Sequence, residues 1–231
     1  MDQSSFVKNA LKLDDSFRFH CNQCGQCCRN REDILLSPYD LNRIALALSV
    51  PPKTVIDRYC DLYVGENSRL PVVTIRPLGK ERICPFLKNN RCTIHAIKPT
   101  VCALFPLGRF AAVKEDKPGE TQYFLQPVHC GTKSETHTVR SWLTSFDLLE
   151  SDAWFHAWQK AILRLSPLMR HLGARYPADI LETLYSLLFE ELYLHYEQNQ
   201  DFLAQFEKNA DNLTSLLIRL DQESFGKKEN K

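Results

Sequence analysis

Four thiols fall within one short run, HCNQCGQCC, where Cys21, Cys24, Cys27 and Cys28 follow a CxxCxxCC spacing. A thiolate is a nucleophile, a redox group and a soft metal ligand. Two cysteines separated by two residues can turn their sulfurs onto one tetrahedral ion or one cluster. Further along stand Cys84, in Cys84-Pro85-Phe86-Leu87, then Cys92, Cys102 and Cys130, with Cys60 apart. Of the nine cysteines, setting Cys60 aside leaves eight, enough for two four-ligand centres or for one centre with a spare dithiol. Adjacent Cys27 and Cys28 point different ways in extended backbone and can serve different centres, but spacing alone leaves the partition open. Turn-forming Asn22 and Gly25 set this run apart from the inert thiols of apolar cores. Cys60, among apolar neighbours at helical spacing, reads as one of those core thiols.

Zinc and iron-sulfur clusters both accept four thiolates, so ligand type does not choose between them. The CxxCxxCxxxCP run of two-cluster ferredoxins is absent, since the fourth cysteine arrives at once and the Cys-Pro pair is displaced to Cys84-Pro85. Zinc sites seldom place two cysteines side by side, which puts an iron-sulfur cluster, of the 4Fe-4S kind, ahead of zinc. Either centre leaves a net negative site that cations can offset, and Arg29, Arg31, Arg82, Lys88, Arg91, Lys98 and Arg109 are near the thiols in sequence. His20, His95 and His129 adjoin the set and read as neighbours of ligands rather than ligands.

The elements that must position these groups are short at first and helical later. Ser37-Pro38-Tyr39-Asp40 predicts a capped helix start, followed by a stripe of Leu41, Ile44, Ala45 and Leu48. A second helix is expected after Pro51-Pro52, with Val55, Ile56, Tyr59, Cys60 and Tyr63 on one face. Val72 to Ile75, Arg109 to Val113 and Tyr123 to Leu125 read as strands, and Lys88 to Arg91 as a tight turn. From a Thr138 cap the pattern predicts helix through Trp142, Trp154, Trp158, Ile162 and Leu165, with Pro167 breaking or kinking it. Two further stripes follow, Leu181, Leu184, Leu188 and Leu192, then Phe206, Leu213, Leu217 and Leu220. The expected architecture is α+β and mainly helical: a cysteine-rich, loop-dominated metal core with short helices and a few short strands, packed on a C-terminal helical layer. Its parts are an N-terminal segment (1–15), the cysteine-cluster region (16–145), the helical region packed on it as one compact unit (146–225) and a disordered tail (226–231).

Bulk properties narrow the partners. Lys+Arg is 29 against Asp+Glu 28, a net charge of +1, so no nucleic-acid partner is expected. No apolar run approaches ~18 residues and no leader is visible, so neither membrane insertion nor export is expected. In the reducing cytoplasm that this implies, nine cysteines point to metal rather than disulfides.

The ordered combination of CxxCxxCC, CPFL at Cys84 to Leu87, CxIHxxKPxxCxxFP from Cys92 to Pro106 and the Cys130-Gly131 pair resembles the CxxCxxCC family of zinc- or iron-chelating proteins, also called the YkgJ-like cysteine cluster family. The resemblance spans roughly residues 20 to 145. It implies Cys21, Cys24, Cys27, Cys28, Cys84, Cys92, Cys102 and, less directly, Cys130 as metal ligands. Two positions depart from the family pattern: Lys98-Pro99 stands where Arg-Pro is usual, and His95 where Tyr is common. Relatives of the family resemble flagellin lysine N-methylases, which implies a redox or methyl-transfer role, a protein substrate or redox partner, and S-adenosylmethionine as a cofactor. None of the eight glycines forms a GxG, so no glycine-rich nucleotide loop is present, and no catalytic residue is assigned. Two other readings remain, a non-catalytic zinc-stabilised interaction module and a thiol-exchange protein acting through Cys27 and Cys28.

Overall fold

The computed structural model describes residues 10–114, 117–149, 151–197 and 200–226, so most of the expected tail at 226–231 and the first nine residues lie outside them. The first strand, β1 (Ser16–His20), alternates buried Phe17 and Phe19 with exposed neighbours, the period of a strand with one covered face. After the cysteine run comes β2 (Leu35–Leu36), then α1 (Pro38–Leu48). The Ser37 hydroxyl accepts from the Asp40 amide at 3.1 Å and the Asp40 carboxylate accepts from the Ser37 amide at 3.0 Å, a capping box with Pro38 in the first turn. Leu41, Ile44 and Ala45 are buried as expected, whereas Leu48 is 36% exposed. The helix ends just beyond it on left-handed Ser49 (φ 54°), and the last turn projects past the core.

α2 (Pro52–Tyr59) buries Val55 and Ile56 but stops short of the expected Cys60 and Tyr63. At Cys60 the backbone becomes extended and β3 (Cys60–Val64) pairs along its whole length with β4 (Pro71–Ile75). The sheet order is β2-β4-β3, so the expected Val72 to Ile75 strand is its centre. The expected tight turn lies between β5 (Leu87–Lys88) and β6 (Arg91–Cys92). Then follow α3 (Thr100–Leu104), the antiparallel pair β7 (Leu107–Lys114) and β8 (Lys117–Leu125), and β9 (Thr132–Thr138).

Thr138 caps α4 (Val139–Thr144) through a box with Ser141, as predicted. The helix does not run on to Trp154. The chain breaks there, with Asp147 at φ 54° and buried Leu148 held in the core, before α5 (Ser151–Gly173) begins. Pro167 does not end α5, because buried Leu165, Met169 and Leu172 pack on both sides of the one hydrogen bond that proline deletes. α6 (Ala178–Phe189), a π-turn (Glu190–Leu194) and α7 (Phe202–Gly226) complete the layer, and the two predicted leucine stripes face inward. The architecture is α+β and mainly helical, with small sheets.

Two apolar clusters form. The larger joins α1, α2 and the β2-β4-β3 sheet to the C-terminal helices, where Tyr39 stacks on Trp154 at 5.7 Å. The smaller gathers Phe17, Phe19, Leu107, Tyr123, Val139 and Trp142. The short helix α3 contributes to both: Val101 and Cys102 pack against the first cluster, Ala103 and Leu104 belong to the second.

Candidate metal centre

β1 runs antiparallel to β9 with His20 opposite Thr132. Cys21 therefore leaves this ribbon at the same end from which Cys130 enters. Between Cys130 and Thr132, Gly131 has φ 73°, and a Cβ there would lie 2.5 Å from Phe19 Cε2 and 2.6 Å from the His20 carbonyl oxygen, so only glycine lets the strands pass this closely. Gly25, at φ 72°, caps the short turn Gln26–Cys28 that presents Cys27 and Cys28, and it packs on Leu87 and Asn90.

Three local devices deliver the remaining thiols. The Cys84 amide donates to the Cys28 carbonyl at 2.9 Å, laying the two segments side by side. The β5-β6 hairpin turns through Asn89 and Asn90 at φ 50° and 59°, left-handed positions that asparagine tolerates, and puts Cys92 opposite Leu87, close to Cys84. Cys102 sits in the first turn of α3, where its amide donates to the Pro99 carbonyl at 2.8 Å. That turn is fixed by Asp40, whose carboxylate accepts from the Thr100 amide at 2.7 Å and the Thr100 hydroxyl at 2.6 Å. Asp40 was not singled out as a site residue by the sequence; its only local signal is as a helix cap.

Cys28, Cys84, Cys92 and Cys102 line one cavity of about 450 Å³, together with Cys21 and Cys27. Cys84 feels the other three, Cys28 feels Cys84 and Cys92, and Cys102 feels Cys28 and Cys92. Cys28 is pushed up to about 11: its hydrogen bond with Cys27 lowers it, but the bond with Cys84, burial and the Cys84 and Cys92 sulfurs outweigh that. Burial, then Cys28 and Cys27, raise Cys102, and burial raises Cys92. Cys84 is lowered, chiefly by its hydrogen bond with Cys28. Cys27 Sγ is 4.0 Å from Cys28 Sγ, and that contact, then burial, raises Cys27. Cys130 is raised by burial and by Cys24, Cys27 and Cys21. Such crowding keeps protons on the sulfurs until a cation replaces them.

Of the seven cations singled out in the sequence, Lys98 is the one set among the sulfurs. Burial lowers its pKa, Cys102, Cys21, Cys27 and Cys92 raise it, and its ammonium stands 4.0 Å from the centre of the Phe146 ring. Arg31 is paired with Asp33 and also feels Cys102 and Cys27, and Arg91 lines the cavity. Arg29 and Arg82 face Glu81 and Glu32 instead. Arg109 is elsewhere: it is 6% exposed, lies 3.4 Å from Asp152, and helps line a second cavity of about 480 Å³ with Trp154 and Trp158. His20 is bound to Glu135 at 2.8 Å, His129 is exposed, and His95 lines the cavity beside Lys98, with burial and that charge lowering its pKa.

Cys60 is 1% exposed in the larger core, and burial pushes its thiol up to about 12. Cys60→Ser is expected to leave metal content unchanged while costing about 2 kcal/mol of stability, the penalty for an unsatisfied hydroxyl in an apolar site. Metal analysis with urea denaturation checks both; loss of metal from the folded variant would make Cys60 a ligand.

A donor set of soft thiolates fits zinc or iron. Residues 20–131 match the family model CxxCxxCC, described as "Putative zinc- or iron-chelating domain". The matched span contains all eight thiols. An uncharacterized protein of Methanocaldococcus jannaschii is 33% identical over 110 residues, 45% of this chain and 55% of the relative, so the chain spans about half the length of the curated relative that it matches. No solved structure matches the chain. No helix among the described residues is long and apolar enough to cross a membrane.

Proposed function

We propose, for a chain whose residues 20–131 match the CxxCxxCC family model, that the clustered thiols hold iron-sulfur and that the protein works in redox chemistry. The observation that supports this reading is the enclosure. Cys28, Cys84, Cys92 and Cys102, from four separate segments, line a cavity of about 450 Å³ that Cys21 and Cys27 also reach. Room of that size beside several thiols accommodates a polynuclear centre, with iron and sulfide filling the middle.

When bound, an iron-sulfur centre supplies one-electron transfer. The chain's own residues would do the rest. Cys28, Cys84, Cys92 and Cys102 would ligate, Lys98 and Arg31 would offset the negative charge, and Ile34, Ile75, Phe86, Ile94 and Val101 would keep water from the apolar side. A second reading is methyl transfer to a protein substrate, as the resemblance to flagellin lysine N-methylases implies. It is favoured by the polar part of the same cavity wall, where Gln23, Asn90, His95 and Gln126 could meet a small molecule such as S-adenosylmethionine beside the sulfurs.

Anaerobically purified protein is expected to be brown, with iron and acid-labile sulfide in near-equal amounts and visible absorption that dithionite bleaches. Colourless protein loaded with zinc would replace this reading with the zinc-stabilised interaction module.

A further inference from the structure

We propose that the eight thiols form two centres: an inner set of Cys28, Cys84, Cys92 and Cys102, and an outer set of Cys21, Cys24, Cys27 and Cys130, divided at the Cys27–Cys28 peptide bond. This rests on the thiolate-metal reading above, though not on the metal being iron.

The two sets have different supports. The inner sulfurs are fixed by the Cys28–Cys84 backbone bond, the β5-β6 hairpin and the start of α3, and all four line the cavity. The outer set is assembled by the β1-β9 ribbon, whose register returns Cys130 to Cys21 and whose close passage depends on Gly131. Of the outer set, Cys21 and Cys27 reach the cavity wall, whereas Cys24 and Cys130 do not line it. The neighbours that act on Cys130 are Cys24, Cys27 and Cys21, all of the outer set and none of the inner.

Cys27 is the residue that touches both sets: it is 4.0 Å from Cys28 and felt by Cys92 and Cys102 on the inner side, and it is felt by Cys130 of the outer set. Its assignment follows from number and exposure. The inner set is already four without it, and four thiolates complete a zinc or cubane site. Cys27 is exposed, like Cys21 and Cys24, whereas the inner four are half-buried, as is Cys130 of the outer set. Adjacency then has a use, because a single peptide bond holds the two centres next to each other. Lys98, which feels Cys21 and Cys27 of the outer set and Cys92 and Cys102 of the inner, is placed to serve both. The inner centre, packed against the larger core, would exchange slowly; the outer one, with Cys21, Cys24 and Cys27 exposed, would exchange quickly and give electrons their way in and out.

The test counts metal and sulfide per chain in the full-length protein and in Cys84→Ser, Cys24→Ser, Cys130→Ser and Cys84→Ser/Cys130→Ser, purified without oxygen. Each single variant is expected to keep half of the wild-type metal and the double variant none. Chelation is expected to strip the wild type in two phases, with the fast phase missing from Cys130→Ser. Should Cys84→Ser fail to fold, as circular dichroism would show, exposed Cys24 decides alone. Complete metal loss from folded Cys24→Ser or Cys130→Ser, or full retention in both, would overturn the partition. Zinc without sulfide, retained by halves, would sink the iron-sulfur reading and leave the two centres standing. Iron and sulfide lost together from every single variant would do the reverse.

Discussion

Asp40→Ala is expected to lose about 3 to 5 kcal/mol of stability and a large share of the bound metal, although Asp40 is no ligand. The carboxylate is 3% exposed and accepts four hydrogen bonds, from the Ser37 amide at 3.0 Å, the Ser37 hydroxyl at 2.7 Å, the Thr100 amide at 2.7 Å and the Thr100 hydroxyl at 2.6 Å. Alanine removes the Asp40 half of the α1 capping box, worth about 1 kcal/mol, and strands the buried donors of Thr100, at about 1 to 3 kcal/mol each. It also withdraws a negative charge felt by buried Arg109. Because Thr100 opens the turn that presents Cys102, the loss should reach the inner sulfurs. Asp40→Asn keeps an acceptor and the shape, and should recover roughly half of the stability. Urea denaturation with metal analysis reads both effects. An alanine variant within 1 kcal/mol of wild type, fully loaded, would remove Asp40 from the support of the site.

Metal uptake by the stripped protein is expected to be steeply pH-dependent. Cys28 is pushed up to about 11, and burial raises Cys92 and Cys102, so these three sulfurs hold protons at neutral pH. Ligation needs thiolates, and each raised pKa means a proton that binding must release. The sign is therefore fixed: apparent affinity rises with pH and falls in acid. With three protons displaced, the change approaches 10³-fold per pH unit below these pKa values. Competition titrations with cobalt(II), followed by its thiolate absorption at several pH values, give the slope. A tenfold change per unit or less would mean that the sulfurs are already ionised without metal, contrary to their crowding. Cys84, lowered by its bond to Cys28, is where the first thiolate is expected.

What the sequence alone determined was local. The capping boxes at Ser37 and Thr138, the Asn89-Asn90 turn and the inward leucine stripes of α6 and α7 depend on residues a few positions apart, and all are present. The CxxCxxCC spacing and the cysteines that follow it pointed to thiolate metal chemistry, because ligand type and short spacing survive any fold. Tertiary structure decided what depends on distant partners. β9, as TKSETHT, has no apolar alternation, and only its pairing with β1 makes it a strand that brings Cys130 to Cys21. α4 stops before Trp154 because Leu148 is drawn into the smaller core, and α5 runs through Pro167 because packing on both sides exceeds the loss of one hydrogen bond. The grouping of Cys28 with Cys84, Cys92 and Cys102, and the selection of Lys98 from seven nearby cations, follow from a hairpin, a strand register and a buried carboxylate. Each of these joins chain segments far apart in sequence, and no residue pattern within one segment records which other segment it will meet.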